Sequence, residues 1–554
     1  MDIGEMQKRL SLKAQQQPDH RFDDLFSLIC REDWLMLAHD HVAGNAGSQT
    51  AGCDGINLRV FDEDLEDNLK ELRESLEDGT FRTSPVRRVF IPKSGGKLRP
   101  LGIPSIRDRI VQEAVRMALE PVYEADFLQC SYGFRPNRCT MDAIDHARWY
   151  MQERLKYFWI IEGDISSYFD AINHRKLMKL LGRRVKDGRL LDLIWGFLRA
   201  GVMERKLFKD TNTGTPQGGI VSPLLANVYL HEFDKFMKRY TDFPERVKHK
   251  RRKDGLGNIA YVRYADDFIV LSNGTKDQAY TLRDELQRFL SEELRLSLSM
   301  EKTKVTHLNE GFVFLGFQIK RGPAMNGGMT TRVLIPSKAI KKHLDVLKAA
   351  FSPSTHEDSV SLKLPEVSKV ISGWCRYYQC TSRATTQFAR VQHEVYWLAA
   401  HWLAGKYQLS CKSAIMRFRQ GSTLGTTAAR LAMHSDFKTR RSGRRHRPFP
   451  NPYTSKEALI REKLLEGQDR LIIESRKGSE DRRREIMARD NYTCQWSGCG
   501  AKVTLGTGHV DHIRPRCVFG WKPDADKPEN LWTLCLKHHT IKTENDRQRE
   551  SRVP

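Results

Sequence analysis

The chain has 554 residues, which is more than one hydrophobic core accommodates and predicts about three or four domains. Its apolar runs all fall short of the roughly 18 to 20 residues that span a bilayer, so the sequence argues against a membrane protein. The formal net charge of +23 favours a polyanionic partner, nucleic acid above all, and a generically basic, solvated surface is the alternative.

The first 18 residues mix acidic with basic side chains and contain no continuous apolar segment. Neither a secretory signal nor a transit peptide is therefore expected. The eleven cysteines are an odd number spread over a long chain, which favours reduced thiols over a disulfide framework. We expect a cytoplasmic protein that is associated with nucleoprotein.

The composition changes along the chain. Residues 1 to about 320 alternate apolar runs with helical stretches and Gly or Pro punctuation, which predicts a mixed α/β domain. From Pro336 to about Ala432 the apolar spacing becomes mainly helical. Between Lys438 and Arg447 six of ten residues are Lys or Arg and none is acidic, which is typical of a basic linker. The last segment, from about Glu480, holds clustered Cys and His residues.

Three acidic residues stand at the ends of strand-like runs. Tyr261–Tyr264 and Phe268–Leu271 flank Ala265, Asp266 and Asp267, which predicts a hairpin with adjacent carboxylates at its tip. A further strand-like run ends at Asp164, and such a strand brings this acid beside the hairpin. Phosphoryl transfer by two Mg²⁺ ions needs converging carboxylates of this kind, with Asp164 and Asp266 as bridging ligands.

A Tyr-Ala-Asp-Asp string also arises by chance, but here other motifs accompany it in a fixed order. These motifs are Ala51–Gly55, Leu98–Pro104, Ser131–Pro136, Gly163–Asp170, Thr215–Gly219, Ser222–Asn227, Tyr264–Asp267, Glu301–Lys304 and Phe314–Phe317. In this order the sequence resembles the reverse transcriptases of group II introns.

The resemblance implies a multidomain protein of class α/β plus α. A right-hand polymerase domain with fingers and palm is expected over residues 1–325, and a helical thumb or maturase domain, called X, over residues 326–432. A small, basic DNA-binding region and linker is expected over residues 433–480. A zinc-containing ββα-metal domain of the HNH type is expected over residues 481–554.

The resemblance also implies contacts to the incoming deoxynucleoside triphosphate (dNTP). Lys93 and Arg99 are expected to grip the triphosphate, roles that suit a point charge and a planar guanidinium fork. Phe169 resembles the steric gate that rejects a 2′-hydroxyl, and Gln217 is expected to contact nucleotide or template. The alternatives are surface charge for the two cations and core packing for Phe169.

Two further roles are implied less directly. Lys302 or Lys304 is a candidate to protonate the pyrophosphate leaving group. In the helical domain Gly373–Trp374 and Tyr377–Tyr378 stand where the family has its thumb and maturase region, although aromatics at helical spacing usually form core. RNA binding is therefore assigned to this domain by resemblance only, through shape and phosphate contacts.

The C-terminal segment contains two closely spaced pairs of metal ligands. Cys494 and Cys499 form the first pair, and Cys535 and His538 form the second. Two such pairs separated by a loop predict a closed, tetrahedral, structural zinc site. His538 stands where many relatives have cysteine, and His509 is a weaker rival for that place.

A resemblance to HNH, or ββα-metal, nucleases lies in the segments Gly508–Pro515, Glu529–Trp532 and His538–Thr543. It implies that Asp511 and His539 hold a divalent ion, Mg²⁺ or another, at the scissile phosphate. His512 is expected to deprotonate the attacking water, and Asn530 to orient the loop that bears His512. A purely structural zinc ribbon with incidental histidines is the alternative.

Together these resemblances imply a mobile-intron protein. Such a protein binds its unspliced intron RNA, promotes splicing and stays with the lariat as a ribonucleoprotein. The RNA then inserts into one strand of a target DNA, the HNH domain nicks the other strand, and the polymerase copies the intron with dNTPs during retrohoming. A splicing-only maturase and a reverse transcriptase of another retroelement class, such as a retron or a diversity-generating element, are the alternatives.

Overall fold

The structure is a computed structural model. It describes residues 2–45, 47–92, 98–200, 202–204, 207–209, 219–324, 327–427, 429–440, 448–455, 485–504, 507–513 and 528–542. For residues 92, 99, 202–204, 207–209, 512 and 528 only the backbone is described.

The helices are α1 (Ile3–Gln16), α2 (Phe26–Ile29), α3 (Glu32–Ala43), α4 (Leu58–Phe61), α5 (Leu65–Glu77), α6 (Ile106–Asp126), α7 (Thr140–Tyr150), α8 (Tyr168–Ala171), α9 (His174–Leu181), α10 (Gly188–Arg199), α11 (Ser222–Thr241), α12 (Glu245–Lys253), α13 (Lys276–Leu294), α14 (Ser337–Ala350), α15 (Val360–Tyr378), α16 (Ala384–Lys406) and α17 (Cys411–Phe418). Two further helical segments cover residues 485–489 and 536–542.

The strands are β1 (Val86–Pro92), β2 (Leu98–Ile103), β3 (Trp159–Gly163), β4 (Val202–Glu204), β5 (Leu207–Lys209), β6 (Ile259–Tyr264), β7 (Asp267–Ser272), β8 (Lys304–His307), β9 (Phe312–Phe314), β10 (Phe317–Pro323), β11 (Met329–Leu334), β12 (Arg419–Gln420), β13 (Thr423–Leu424), β14 (Gly508–His512) and β15 (Leu531–Cys535).

A four-stranded antiparallel sheet in the order β6-β7-β3-β8 carries the predicted acids, and we call it the acid-bearing sheet. Because side chains of a strand alternate between its two faces, β7 directs Phe268 and Val270 into one core and Ile269 and Leu271 into another. Both faces of the sheet are therefore covered, which explains why its strands are almost continuously apolar.

The first core joins the acid-bearing sheet to the N-terminal half of the chain. Helices α1, α3, α5, α6, α11 and α13 contribute their apolar faces to it. In α13 the buried residues Leu282, Leu286, Leu290 and Leu294 recur every four residues, which is the spacing of one helix face. A second four-stranded sheet, in the order β2-β1-β4-β5, lies in the same half. The prediction of a mixed α/β polymerase-like part is confirmed.

The second core lies between the other face of the acid-bearing sheet and the C-terminal helices α14–α17, and the sheet β11-β10-β9 belongs to it. Phe317 of β10 stacks on Tyr377 of α15 with ring centroids 5.1 Å apart. Buried Leu347, Phe388 and Leu403 fill the helical side. The mainly helical pattern predicted from Pro336 onward is thus present in the structure.

Residues 448–455, which we call the return segment, pack back onto the N-terminal half. The Tyr453 hydroxyl donates to Glu120 Oε2 of α6 at 2.5 Å, and the Ser11 hydroxyl of α1 donates to Asn451 Oδ1 at 3.2 Å. The Phe449 amide donates to Gln129 Oε1 at 2.9 Å. These contacts connect the chain beyond the helical domain to the first and sixth helices.

The C-terminal part pairs β14 with β15 in an antiparallel hairpin that leads into the helix of residues 536–542. A loop from residue 494 joins it, since the Gln495 amide donates to the Thr533 carbonyl at 2.8 Å. Within the described ranges, no helix combines the length and the apolar character needed to cross a membrane.

Candidate functional sites

The three predicted acids lie at one end of the acid-bearing sheet. Tyr264 pairs with Asp267 as the last pair of the β6–β7 hairpin, so Ala265 and Asp266 form its two-residue turn. Gly163 pairs with Phe268, and Asp164 is the next residue after that pair. The register therefore brings Asp164 next to the strand end that bears Asp267, as the strand pattern predicted.

The hairpin turn is held in a demanding backbone conformation. Ala265 has φ of 57°, which is in the left-handed region that residues with a side chain rarely adopt. Gly133 packs directly on this turn, because a Cβ at residue 133 would lie 2.4 Å from the Ala265 amide nitrogen. No side chain fits there, so the glycine of the Ser131–Pro136 motif is explained by close approach to the turn.

Arg263 of β6 holds the same turn through its side chain, and sequence reasoning did not identify it. Its buried guanidinium donates to both carboxylate oxygens of Asp234, at 2.7 and 2.5 Å, and to the Ala265 carbonyl at 2.9 Å. Burial disfavours the charged guanidinium, but the Asp234 carboxylate outweighs it and raises the pKa of Arg263. A charged residue inside an apolar strand pattern was the available signal.

The Arg263 network reaches two further motifs of the sequence. The guanidinium also donates to Asn227 Oδ1 at 2.9 Å and to the Ser131 hydroxyl at 2.8 Å. Asn227 in turn donates to the Gly133 carbonyl at 2.8 Å. The Ser131–Pro136 and Ser222–Asn227 motifs therefore position the acidic turn through buried hydrogen bonds.

Lys302 stands beside the acids. Its Nζ lies 2.7 Å from Asp164 Oδ2, and this hydrogen bond is the main cause that raises the pKa of Lys302 above its usual value. The loop that carries it is fixed to the same residue, since the Ser299 amide donates to the Asp164 carbonyl at 2.8 Å. Lys304, the other candidate, lies in β8 opposite Glu162. Of the two lysines, Lys302 is the one that contacts an acid of the proposed metal site.

The predicted nucleotide contacts are only partly described. Lys93 and Gln217 lie outside the described residues, and Arg99 is described only as a backbone position of β2 opposite Ile91. Phe169 lies in α8, is buried, and its ring meets that of Tyr168 edge-on at 5.4 Å. Its packing belongs to the first core, and its role as a steric gate stays a prediction.

The four predicted zinc ligands lie together in the C-terminal part. Cys494, Cys499, Cys535 and His538 place their ligand atoms within 4.8 Å of one another. His538 Nδ1 lies 3.3 Å from Cys535 Sγ and 3.6 Å from Cys494 Sγ. Bonds of about 2.0 to 2.3 Å in a tetrahedron put neighbouring ligand atoms about 3.5 Å apart, so this donor set fits Zn²⁺.

The predicted nuclease residues lie on the adjoining hairpin and helix. His539 Nε2 lies 3.9 Å from Asp511 Oδ2, so the structure brings together the pair predicted to hold a divalent ion. The Asn530 carbonyl accepts from the Ile513 amide at 2.7 Å, next to the end of β14. His512 ends β14 opposite Leu531, and its side chain lies outside the described residues.

His509 has a different place from the one considered in the sequence. Its ring stacks on that of His539 with centroids 4.4 Å apart and an interplanar angle of 12°. Since His509 and Asp511 are two residues apart in β14, both lie on the face toward His539. His509 therefore belongs to the Asp511 side of the hairpin and is absent from the four-ligand cluster.

A sheet with three carboxylates at one end, two of them at a hairpin turn, is the arrangement of polymerases that transfer nucleotides with two metal ions. The family model described as "Reverse transcriptase (RNA-dependent DNA polymerase)" matches residues 91–319, a range that includes all three acids and Lys302. The chain therefore contains a reverse transcriptase domain.

Curated relatives narrow the class. "Protein YkfC" of Escherichia coli (strain K12) is 40% identical over 367 residues, which cover 63% of this chain and 96% of YkfC. "Group II intron-encoded protein LtrA" of Lactococcus lactis subsp. cremoris is 35% identical over 360 residues, 56% of this chain and 59% of LtrA. "Nuclear intron maturase 2, mitochondrial" of Arabidopsis thaliana is 25% identical over 416 residues, 60% of this chain and 55% of that protein. The chain belongs to the group II intron reverse transcriptase/maturase family.

Proposed function

We propose that this protein copies RNA into DNA, assists the splicing of a group II intron RNA, and nicks a DNA target through its C-terminal part. The observation that supports the polymerase most directly is the strand register that sets Asp164 beside the Asp266–Asp267 turn. Three carboxylates are a donor set that suits hard cations such as Mg²⁺, so the residues fit the expected ions.

Asp164, Asp266 and Asp267 would hold Mg²⁺. When bound, the ions supply activation of the primer 3′-hydroxyl and charge stabilisation of the pyrophosphate leaving oxygen. Lys302 would carry the proton for that oxygen, since the ordinary pKa of lysine already lies well above 7 and the hydrogen bond to Asp164 raises it further. Lys93, Arg99, Phe169 and Gln217 remain our candidates for dNTP contacts.

Primer extension on an RNA template with Mg²⁺ and dNTPs tests the polymerase. The variant Asp266→Asn/Asp267→Asn should lose extension by a factor of about 1,000 or more, since the metal ligands are removed. Asp277→Asn, an exposed acid in the first turn of α13, is the matched control and should extend normally. Extension by the double variant at the parent rate would refute the assignment of these acids.

The basic helical domain supports the splicing proposal. Residues 337–440 contain sixteen Lys and Arg against six Asp and Glu, a difference of ten. Such an excess favours the phosphate backbone of a large structured RNA, and one relative carries the name of an intron maturase. We propose that these residues bind the intron RNA in the ribonucleoprotein with its lariat.

An assay for splicing of the RNA that flanks the reading frame distinguishes the proposed splicing activity from the polymerase activity. The parent and the Asp266→Asn/Asp267→Asn variant should both accelerate splicing, since RNA binding does not use the metal ligands. Splicing without extension by the parent would leave a splicing-only maturase. Extension without any effect on splicing would point to a reverse transcriptase of another retroelement class.

The nuclease proposal rests on the hairpin β14–β15, the helix of residues 536–542 and the approach of His539 to Asp511. Asp511 and His539 would hold a divalent ion, which supplies charge stabilisation at the scissile phosphate. His512 would deprotonate water, with Asn530 beside its loop. Zn²⁺ on the four-ligand cluster would connect the helix of residues 536–542 to the loop that carries Cys494 and Cys499.

A supercoiled plasmid that carries the joined flanks of the intron tests the nuclease. With Mg²⁺ the ribonucleoprotein should nick it, and Asp511→Ala should abolish nicking while primer extension continues, because the two sets of metal ligands are separate. Nicking by the variant at the parent rate would refute the proposal. If only the nick supplies the primer, intron copying into DNA should also stop in this variant, as retrohoming requires.

A further inference from the structure

Helix α12 is the most basic helix of the described chain, and the functions proposed above do not account for it. Six of its nine residues are Lys or Arg, and Glu245 is its one acid. None of its residues is buried. A helix without a buried residue gains little from packing, and like charges four residues apart destabilise it.

The internal contacts of α12 hold its backbone and leave most of its cations exposed. Arg251 donates to the Gly257 carbonyl at 2.9 Å, and the Lys248 carbonyl accepts from Asn258 at 2.9 Å. Glu245 is paired with Lys248 at 3.0 Å. Among the described residues, none forms an ion pair with the exposed cations Arg246, Lys250, Arg252 and Lys253.

Three of these exposed cations form one stripe. Arg246, Lys250 and Lys253 are spaced four and three residues apart, so they share a face and extend over about 10 Å at 1.5 Å per residue. The neighbouring helix α13 provides a contrast, because its cations Lys276, Arg283 and Arg288 are outnumbered by acids on the same helix. The positive charge of α12 is therefore not shared by α13.

The helix lies away from the polymerase acids. It precedes β6, and β6 begins at Ile259 and reaches the acidic turn only after Tyr264, about 17 Å further at 3.3 Å per residue. At this far end of the sheet Asn273 donates to the Leu155 carbonyl at 3.3 Å. The loop from Met151 onward then contacts β11 and β10, through Thr331 and Arg321. The loop after Met151 thus links this end of the sheet to β10 and β11.

We propose that the α12 stripe is a docking surface for the phosphate backbone of the intron RNA, separate from the polymerase site. This inference rests on the proposed RNA partner. A phosphate backbone supplies the negative charges that would pair with the stripe, and residues 337–440 carry a separate excess of ten basic residues. RNA is favoured over target DNA because DNA contacts are proposed for the C-terminal part.

Salt-dependent binding tests the proposal with the full-length chain. The probe is a transcript of the RNA that flanks the reading frame, and its affinity is measured at several KCl concentrations. The variant Arg246→Gln/Lys250→Gln/Lys253→Gln removes the stripe. The control variant Lys179→Gln/Lys276→Gln/Arg288→Gln removes three exposed cations from α9 and α13. Glutamine preserves helix propensity, and no buried side chain is changed in α12.

Each lost phosphate contact reduces the slope of log affinity against log salt by about 0.7 to 0.9. The stripe variant should therefore lose about 2 to 3 from the slope and bind at least tenfold more weakly at 0.1 M KCl, with the control close to the parent. Primer extension on a short template should be unchanged. Equal losses in both variants, or loss of short-template extension, would overturn the proposal.

Two comparison ligands test whether the stripe binds DNA or a membrane in place of RNA. If the stripe variant loses affinity for a 30-base-pair DNA duplex but retains the RNA, the surface serves DNA. If it loses binding only to phosphatidylserine vesicles, the surface serves a membrane. Either result would overturn the RNA assignment. Failure of the parent to bind the transcript would refute the proposed RNA partner itself, which is a distinct outcome.

Discussion

Replacing Arg263 should lower the free energy of unfolding and release the acidic turn from its fixed position. The guanidinium makes five hydrogen bonds to four residues, and the carboxylate of Asp234 is fully buried with it. In Arg263→Met that carboxylate loses its charged partner and keeps only the hydrogen bond from Tyr261, which costs about 3 to 5 kcal/mol of unfolding free energy. In Arg263→Lys the charge remains, but an ammonium has only three donors, so at least two bonds are lost at about 1 to 2 kcal/mol each.

The rate of primer extension should also fall, for a reason that is separate from the loss of stability. The turn residue Ala265 keeps its left-handed conformation against a cost of about 1 to 2 kcal/mol, and its carbonyl accepts from Arg263. Without that bond the carboxylates of Asp266 and Asp267 lose their fixed position. We expect primer extension to fall about tenfold, which corresponds to about 1.4 kcal/mol of barrier.

Urea unfolding followed by circular dichroism gives the stability, and primer extension gives the activity. The double variant Arg263→Met/Asp234→Asn removes both buried charges and leaves an acceptor for Tyr261, which donates to Asp234 at 3.1 Å. It should regain most of the stability and remain slow. An Arg263→Met protein with parent stability and parent extension would refute the reasoning, and so would a double variant that regains both.

Three more predictions follow from packing and ionisation. Gly133→Ala should lower the extension rate at least tenfold with unchanged template affinity, measured by single-turnover extension and filter binding, because its Cβ would overlap the Ala265 amide. Burial lowers the pKa of His343 to about 4 and that of His434 to about 3. As the pH falls below 6.5, these histidines are protonated in the unfolded chain but stay neutral in the folded chain, so the folded state loses stability. The helical domain should lose about 2 kcal/mol per histidine between pH 6.5 and 5, and His343→Gln/His434→Gln should flatten this dependence in urea unfolding at each pH. Cys535→Ser should reduce bound zinc, measured by mass spectrometry, and abolish nicking while extension persists; equal zinc in parent and variant would contradict the four-ligand site.

The sequence predicts the elements whose signal is local. The β6–β7 hairpin and the strand before Asp164 follow from apolar runs that end in acids, and the structure has them at those positions. The spacing of Cys494 and Cys499, and of Cys535 and His538, likewise indicates a ligand set that the fold brings together. In both cases residue type and spacing carry the information.

Other features depend on contacts between distant residues and have no local signal. Asn227 and Ser131 meet Arg263 across 36 and 132 residues, so their positioning role follows only from the three-dimensional structure. His509 was considered as a zinc ligand, although the alternation of β14 places it with Asp511. Resemblance identified the motifs that contain these residues without revealing what each side chain contacts.

The return segment has a mechanical consequence. The Tyr453–Glu120 and Ser11–Asn451 hydrogen bonds fasten the chain to α6 and α1 after it has left the helical domain. A pull on the chain beyond residue 455 would therefore load these hydrogen bonds before it reached the helical domain.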